Sequence, residues 1–273
     1  MKRLNSLLVL AVLASGVFFS CENESVAPGD DVPEEVLAKL TQLGFSIDGV
    51  SHFEDGFLVE NDIYLTAADL ERMSPGASIP AVEQYSTDNL VNGPRMINVY
   101  MPTGSKGFSS GEQAGLDEAM RRYNAENLTI SFQRVSSSSN ADIVFKRLSK
   151  RDERRGVLGS AGFPTASGDP YGTINMSGIL ESQYGLSVDG IATIMAHEMG
   201  HCIGFRHTDF FDRSISCGGS AANEGDGGVG ANHIPGTPTG ADLSGKGSWM
   251  LACTDGSSRP FTNADKTALD YLY

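Results

Sequence analysis

Cysteine, tryptophan and basic residues are all scarce in this sequence, and each shortage narrows what it can be. Four cysteines in 273 residues are too few for a scaffold built on disulfides. The fold must rest on an apolar core, which the 40% of hydrophobic residues can supply. Lys and Arg number 20 against 34 Asp and Glu, a formal net charge of −14. That balance argues against nucleic-acid binding, because phosphate recognition needs clustered cations. It also opposes adhesion to an anionic membrane surface. What is plentiful is glycine, with 32 residues, much of it in two late stretches that read as loops.

The one sustained apolar run lies at the start. Lys2 and Arg3 precede the stretch from Leu7 to Phe19, and Ser20 stands before Cys21. A charged start, an apolar middle and a small residue at the cut make the layout of an export signal over residues 1–20. The run is short for a membrane span, which needs ~20 residues. Cys21 directly after it resembles the lipidated first residue of a bacterial lipoprotein, although Phe18 stands where such signals usually carry Leu. The expectation is an exported chain held at the cell envelope by a lipid on Cys21, its only link to a membrane. An ordinary cleaved signal with an incidental cysteine is the alternative.

Residues 22–32 are polar and acidic and read as a tether. Val36, Leu37, Leu40 and Leu43 recur at helical spacing and Gly44 offers a stop. Phe57 to Leu65 reads as a strand and Ala67 to Met73 as a short helix. Turn signals from Ser74 to Pro94 place a boundary near residue 94. The organisation is therefore a signal over 1–20, a tether and N-terminal segment over 21–94, and a main domain over 95–273. In that domain strands are expected at Met96–Met101, Leu128–Val135, Ala141–Phe145 and Thr173–Met176. Helices are expected at Glu112–Tyr123, from Ser187 to Phe205, and at Asn263–Leu272. Cys217 to Gly247 is long, Gly-rich and aperiodic, and such a loop usually has a function or an anchor.

The chemistry is concentrated in HEMGHCIGFRH. The chain has five histidines, and three of them, His197, His201 and His207, fall inside these eleven residues. A four-residue step on a helix puts His197 and His201 on one face, which is half of a tetrahedral zinc site. Glu198 lies in the same turn, placed to take a proton from a water on the metal without binding the metal itself. Gly204 can adopt the left-handed conformation that ends the helix and turns the chain, so that His207 points back at the same ion. Ile191, Ile194 and Met195 supply an apolar face to pack the helix beneath a sheet.

HExxHxxGxxH resembles the zinc signature of the metzincin metallopeptidases. Those enzymes also carry a methionine in a tight turn beneath the metal, and Met250 in GSWMLACT matches it. HEMGHCIGFRHTD, with the lipoprotein-like start, is more narrowly similar to the bacterial dual-action HEIGH metallopeptidase family, from about residue 35 to the end. The resemblance implies His197, His201 and His207 as zinc ligands, Glu198 as general base, and Met250 as structural support together with Gly204. Ala252 stands where astacin-like and pappalysin-like members have a tyrosine, so no tyrosine is assigned a role. FLVENDIYLT resembles the latency motif of astacin propeptides, which implies Asp62 as a carboxylate that occupies the zinc. On its own residues, Asp62 reads first as an exposed acid on a strand.

Other polar residues carry less. Asp209 is open to orienting His207 or to capping its loop, and His233 reads as a surface histidine. Glu224 and Asp226 have oxygen donors suited to calcium, without the spacing of a calcium loop. Cys217 and Cys253 flank the irregular stretch and could staple it, with Cys202 as a buried thiol.

The expected fold is α+β and metzincin-like. It has a twisted mixed sheet, mostly parallel, with an active-site helix, a second long helix, and an irregular C-terminal subdomain ending in a helix. The strand around Ile174 is expected at the sheet edge, where a peptide adds by main-chain pairing. The expected function is a zinc-dependent endopeptidase, monomeric, acting on protein or peptide substrates. The rival is a non-catalytic zinc-stabilised surface lipoprotein that binds glycans or proteins; Glu198 speaks against it, since a structural zinc needs no base beside it.

Overall fold

Capping boxes and glycine stops mark out the elements in a computed structural model that describes residues 32–73, 84–104, 107–225, 228–238 and 247–273. The signal-like start, Cys21, the tether up to residue 31, and Asp226 lie outside the described residues. Helix α1 (Glu34–Leu43) ends at Gly44, whose φ of +92° is the left-handed stop expected there. Strands β1 (Ser51–Phe53), β2 (Gly56–Val59) and β3 (Ile63–Thr66) form an antiparallel sheet in that order. The single strand expected over Phe57–Leu65 is thus a hairpin. It turns because Glu60 and Asn61 both take left-handed backbone, at φ 57° and 72°, without a glycine to announce it. Helix α2 (Ala67–Arg72) follows, closed by a Thr66–Asp69 capping box.

The main sheet is assembled from β5 (Arg95–Tyr100), β6 (Ile130–Arg134), β7 (Ile143–Arg147), β8 (Gly159–Ser160) and β9 (Thr173–Met176), after a short β4 (Tyr85–Ser86). Their spatial order is β6-β5-β7-β9-β8, with the first four parallel and β8 antiparallel to β9. The fold is the expected α+β arrangement on a twisted, mostly parallel sheet. The edge differs from expectation. The strand around Ile174 lies inside the sheet, because residues 159–160 return to pair with it, and β8 is the edge on that side.

Helix α3 (Ser110–Asn124) carries a Ser109–Glu112 capping box, and α5 (Val188–Ile203) is capped by Ser187 and stopped by Gly204 at φ +108°. The two helices share one core with the sheet, in which Leu116, Ala119 and Tyr123 meet Ile191, Met195 and Met199. They approach so closely that a Cβ on Gly115 would lie 2.5 Å from Ile191 Cγ2. The apolar face predicted for α5 understates it: Gly190 to Ile203 is buried all round, which is the signature of a helix inside a core rather than on it. Short elements α4 (Lys150–Arg154), α6 (Ser214–Cys217) and β10 (Asn232–His233) precede the closing helix α7 (Asn263–Leu272), which a Thr262–Asp265 box caps.

The N-terminal layer has its own core of Leu40, Leu43, Phe57, Ile63, Leu65 and Leu70, against which Phe163 and Val229 of the main domain pack. The chain crosses residue 94 without leaving the main body. Gln84, fully buried, donates through Nε2 to Ser248 and Asp265. β4 pairs with β10, Arg206 N donates to Tyr85 O at 2.9 Å, and Thr87 N donates to Gly204 O at 2.8 Å.

Candidate metal centre

The histidine spacing and the stop at Gly204 bring the three imidazoles to one point, and three different segments fix their orientation. His197 Nδ1 donates to Trp249 O at 2.9 Å, and His201 Nδ1 donates to Phe205 O at 2.9 Å. A carbonyl can only accept, so both rings carry their proton on Nδ1 and turn a bare Nε2 inward. His207 Nδ1 lies 2.6 Å from Glu224 Oε1, a carboxylate that fixes the same tautomer. The Nε2 of His201 then stands 3.1 Å from that of His197 and 3.2 Å from that of His207.

Three lone pairs so close, deep in the protein, repel unless a cation lies between them. Their spacing is that of ligands around a small ion: tetrahedral nitrogens at ~2.05 Å from a zinc lie ~3.3 Å apart. Asp62 completes the group. Its Oδ2 is 3.0 Å from His207 Nε2 and 3.9 Å from His197 Nε2, while its Oδ1 is buried with no hydrogen-bond partner among the described residues. The four residues form a buried His/Asp site compatible with a metal ion.

The electrostatics fit ligand chemistry. Burial, with His207 nearby, pushes His197 down to about 4, and burial with its two histidine neighbours also lowers His201. Both rings therefore stay neutral and available at physiological pH. Burial alone would lower His207 too, but the carboxylates of Glu224 and Asp62 outweigh it and raise it. Glu198 is 2% exposed, and burial together with Asp62 raises its carboxyl well above the usual range. Its Oε2 has no partner among the described residues. Gly159 on the sheet edge leaves it room, since a Cβ there would lie 2.5 Å from Glu198 Oε1.

Met250 is fully buried beneath α5. A Cβ on Gly200 would come within 2.5 Å of its Sδ, so this glycine lets the methionine turn approach the helix. The same turn supplies Trp249 O to His197, and Met250 O accepts from Thr208 N at 2.8 Å, one residue past His207.

Several residues have different work from that expected. Glu224 serves His207 and two arginines: it is buried against His207, Arg206 (3.4 Å) and Arg213 (3.3 Å), which engage its oxygens. Burial would raise its pKa, but His207 and the two arginines lower it. Asp209 does not orient His207. It binds its own loop, accepting from Ser216 N and Oγ and from Ala252 N. His233 is exposed on β10, where its Nε2 lies 3.0 Å from Thr237 Oγ1. Cys217 and Cys253 form a disulfide, and Cys202 is a buried free thiol. The support from Glu224 was beyond sequence reasoning, because it stands 17 residues from His207 in an aperiodic stretch. Its only trace is that it is an acid in a glycine-rich loop.

A metal-compatible centre on a HExxH helix is the mark of a metallopeptidase, and comparison bears this out. The chain belongs to the dual-action HEIGH metallo-peptidase family, whose profile matches residues 57–273. Among curated proteins no relative matches. Two solved structures of myroilysin are similar. One, at 16% identity and a TM-score of 0.33, covers 45% of this chain and 54% of its own, so the match spans about half of that protein. The other, at 15% identity and a TM-score of 0.40, covers 86% of this chain and 93% of its own.

Proposed function

We propose that the protein is a zinc-dependent endopeptidase of metzincin type whose N-terminal layer holds it latent. The observation that carries this reading is the convergence of three Nε2 atoms, each with its Nδ1 already engaged, beside a buried carboxylate with an oxygen that has no partner among the described residues. His197, His201 and His207 would hold zinc, which suits three imidazole nitrogens. Bound there, zinc would act as a Lewis acid, polarising a peptide carbonyl and making water acidic at neutral pH. Glu198 is the general base: it receives the proton from water and returns it to the leaving amine. Its buried surroundings keep bulk water from competing for that proton.

Asp62 is the latency ligand. It reaches the histidines from the β2–β3 hairpin, which also pairs with the sheet edge: Tyr64 N donates to Ala161 O and Ala161 N to Asp62 O, at 3.2 and 3.1 Å. The hairpin thus occupies both the fourth ligand position and the edge on which an extended substrate would lie. Protein or peptide chains are the substrates of a monomeric enzyme. The basic–apolar start before Cys21 supports export and a lipid anchor at that residue; mass spectrometry of the native N-terminus tests it, and an unmodified start elsewhere rejects it.

The deciding experiment is metal analysis of the purified chain joined to a peptide-library digest of wild type and Glu198→Gln. One zinc per chain is expected in both. Turnover in the variant should fall by about 10²–10⁴-fold, since an amide is nearly isosteric but takes no proton. Equal turnover would remove Glu198 from its role, and a metal-free, active wild type would reject the reading.

A further inference from the structure

Beside His197 and Glu198 lies a cavity of about 220 Å³ whose lining includes arginines. Leu158, Ile194 and Leu251 give it apolar sides, and Arg259 lines it with a side chain that is more than nine-tenths buried. Arg259 is anchored to the catalytic helix, because its backbone N donates to Thr193 Oγ1 at 2.8 Å, one turn before His197. One turn is about 5.4 Å along the axis, so the Arg259 backbone is fixed beside the turn that precedes His197, and the residue shares the cavity lining with His197 and Glu198. Nη1 donates to Cys253 O at 2.9 Å, and among the described residues Nη2 has only the exposed Asp255 at 3.5 Å. Nε has no partner among the described residues although it is buried. A buried donor left unmet costs stability, and burying a cation without full pairing costs more. Such a group is an unanswered demand for a carboxylate. Three acids share the lining: Glu60 pairs with Arg213 at 3.3 Å, Asp62 faces the histidines, and Glu198 is the proposed base beside them. Two further arginines line it, Arg213, which is paired with Glu60, and Arg155, which is exposed.

We infer that this cavity receives an acidic side chain of the substrate, from one of the two residues flanking the scissile bond, and that Arg259 reads its charge. Apolar sides along the way suit the methylenes of glutamate better than the shorter aspartate. The inference rests on the peptidase reading above and adds a substrate class to it. Because Asn61 and Asp62 also line the cavity, the side chain enters only when the hairpin tip has moved.

The test uses the full-length chain loaded with zinc, as wild type and as Asp62→Ala, on peptides with Glu, Gln, Lys or Leu at each flanking position. Glu should exceed its isostere Gln in kcat/KM by about 10- to 100-fold at one of the two positions, the range of a charge-assisted hydrogen bond. Arg259→Gln should abolish that ratio, and Arg259→Glu should shift preference to Lys. Asp255→Asn, at an exposed site, should raise the Glu preference by releasing Arg259, and it serves if the Arg259 variants fail to fold. Equal rates for Glu and Gln at both positions overturn the inference while leaving the peptidase intact. Cleavage of no peptide at all defeats the peptidase reading, and this one with it.

Discussion

Helix α5 and the β2–β3 hairpin deliver side chains to the same point by opposite means. The helix does it locally: two histidines one turn apart, a serine cap, a glycine stop, and burial on every side. Nothing in it can move without opening the core. The hairpin does it from more than a hundred residues away, through a turn with two consecutive left-handed residues, an ion pair from Glu60 to Arg213, and two backbone bonds to a sheet edge. Left-handed backbone at ordinary residues persists only where the surroundings enforce it. The comparison separates a permanent half of the site from a half held by contacts that can be exchanged.

The largest effect that would break this comparison is loss of the fold. A chain starting at residue 95 loses Gln84, Tyr85 and Thr87, whose buried bonds reach Ser248, Asp265, Arg206 and Gly204. It should fail to give a cooperative melt, whereas a chain starting at residue 84 should melt cooperatively. If both fold alike, the stretch before 94 is dispensable and the division lies elsewhere.

Next comes Asp62→Ala, read as peptide cleavage by the full chain. Activity should rise by about tenfold or more, since each ~1.4 kcal/mol of lost contact is a factor of ten, and the melting temperature should hardly change. Unchanged activity would make the hairpin a permanent part of the fold.

The smallest effect concerns support of the third histidine. Glu224→Gln keeps a hydrogen-bond acceptor but removes the charge facing His207, so zinc affinity should weaken by about 10–100-fold in a chelator competition. An unaltered affinity would show that Arg206 and Arg213, not the ligand, are what Glu224 serves.

The same contrast explains how much was legible in the sequence. His197, Glu198, His201, Gly204 and His207 are close enough that helix geometry alone predicts their meeting, and the caps at Ser187 and Thr262 follow from residue type. The long α3 and the parallel strands followed from periodicity. The hairpin turn carried no glycine, so Phe57–Leu65 read as one strand. The two-residue β8 is too short to show any period, which left β9 as the supposed edge. Glu224 and Arg259 act through tertiary contacts across 17 and 66 residues, and spacing along the chain holds no record of either. Asp62 was reached only through resemblance of its surrounding motif.

The most direct measurement of the central claim, that both regions meet at one metal, is zinc K-edge absorption on the zinc-loaded full-length chain and its Asp62→Ala variant. The account predicts three imidazole nitrogens and one carboxylate oxygen at about 2.0–2.2 Å in wild type. In the variant the three imidazoles should remain and the carboxylate should be gone. A site with a sulfur ligand, with fewer than three imidazoles, or with the same oxygen signature in both proteins would contradict it.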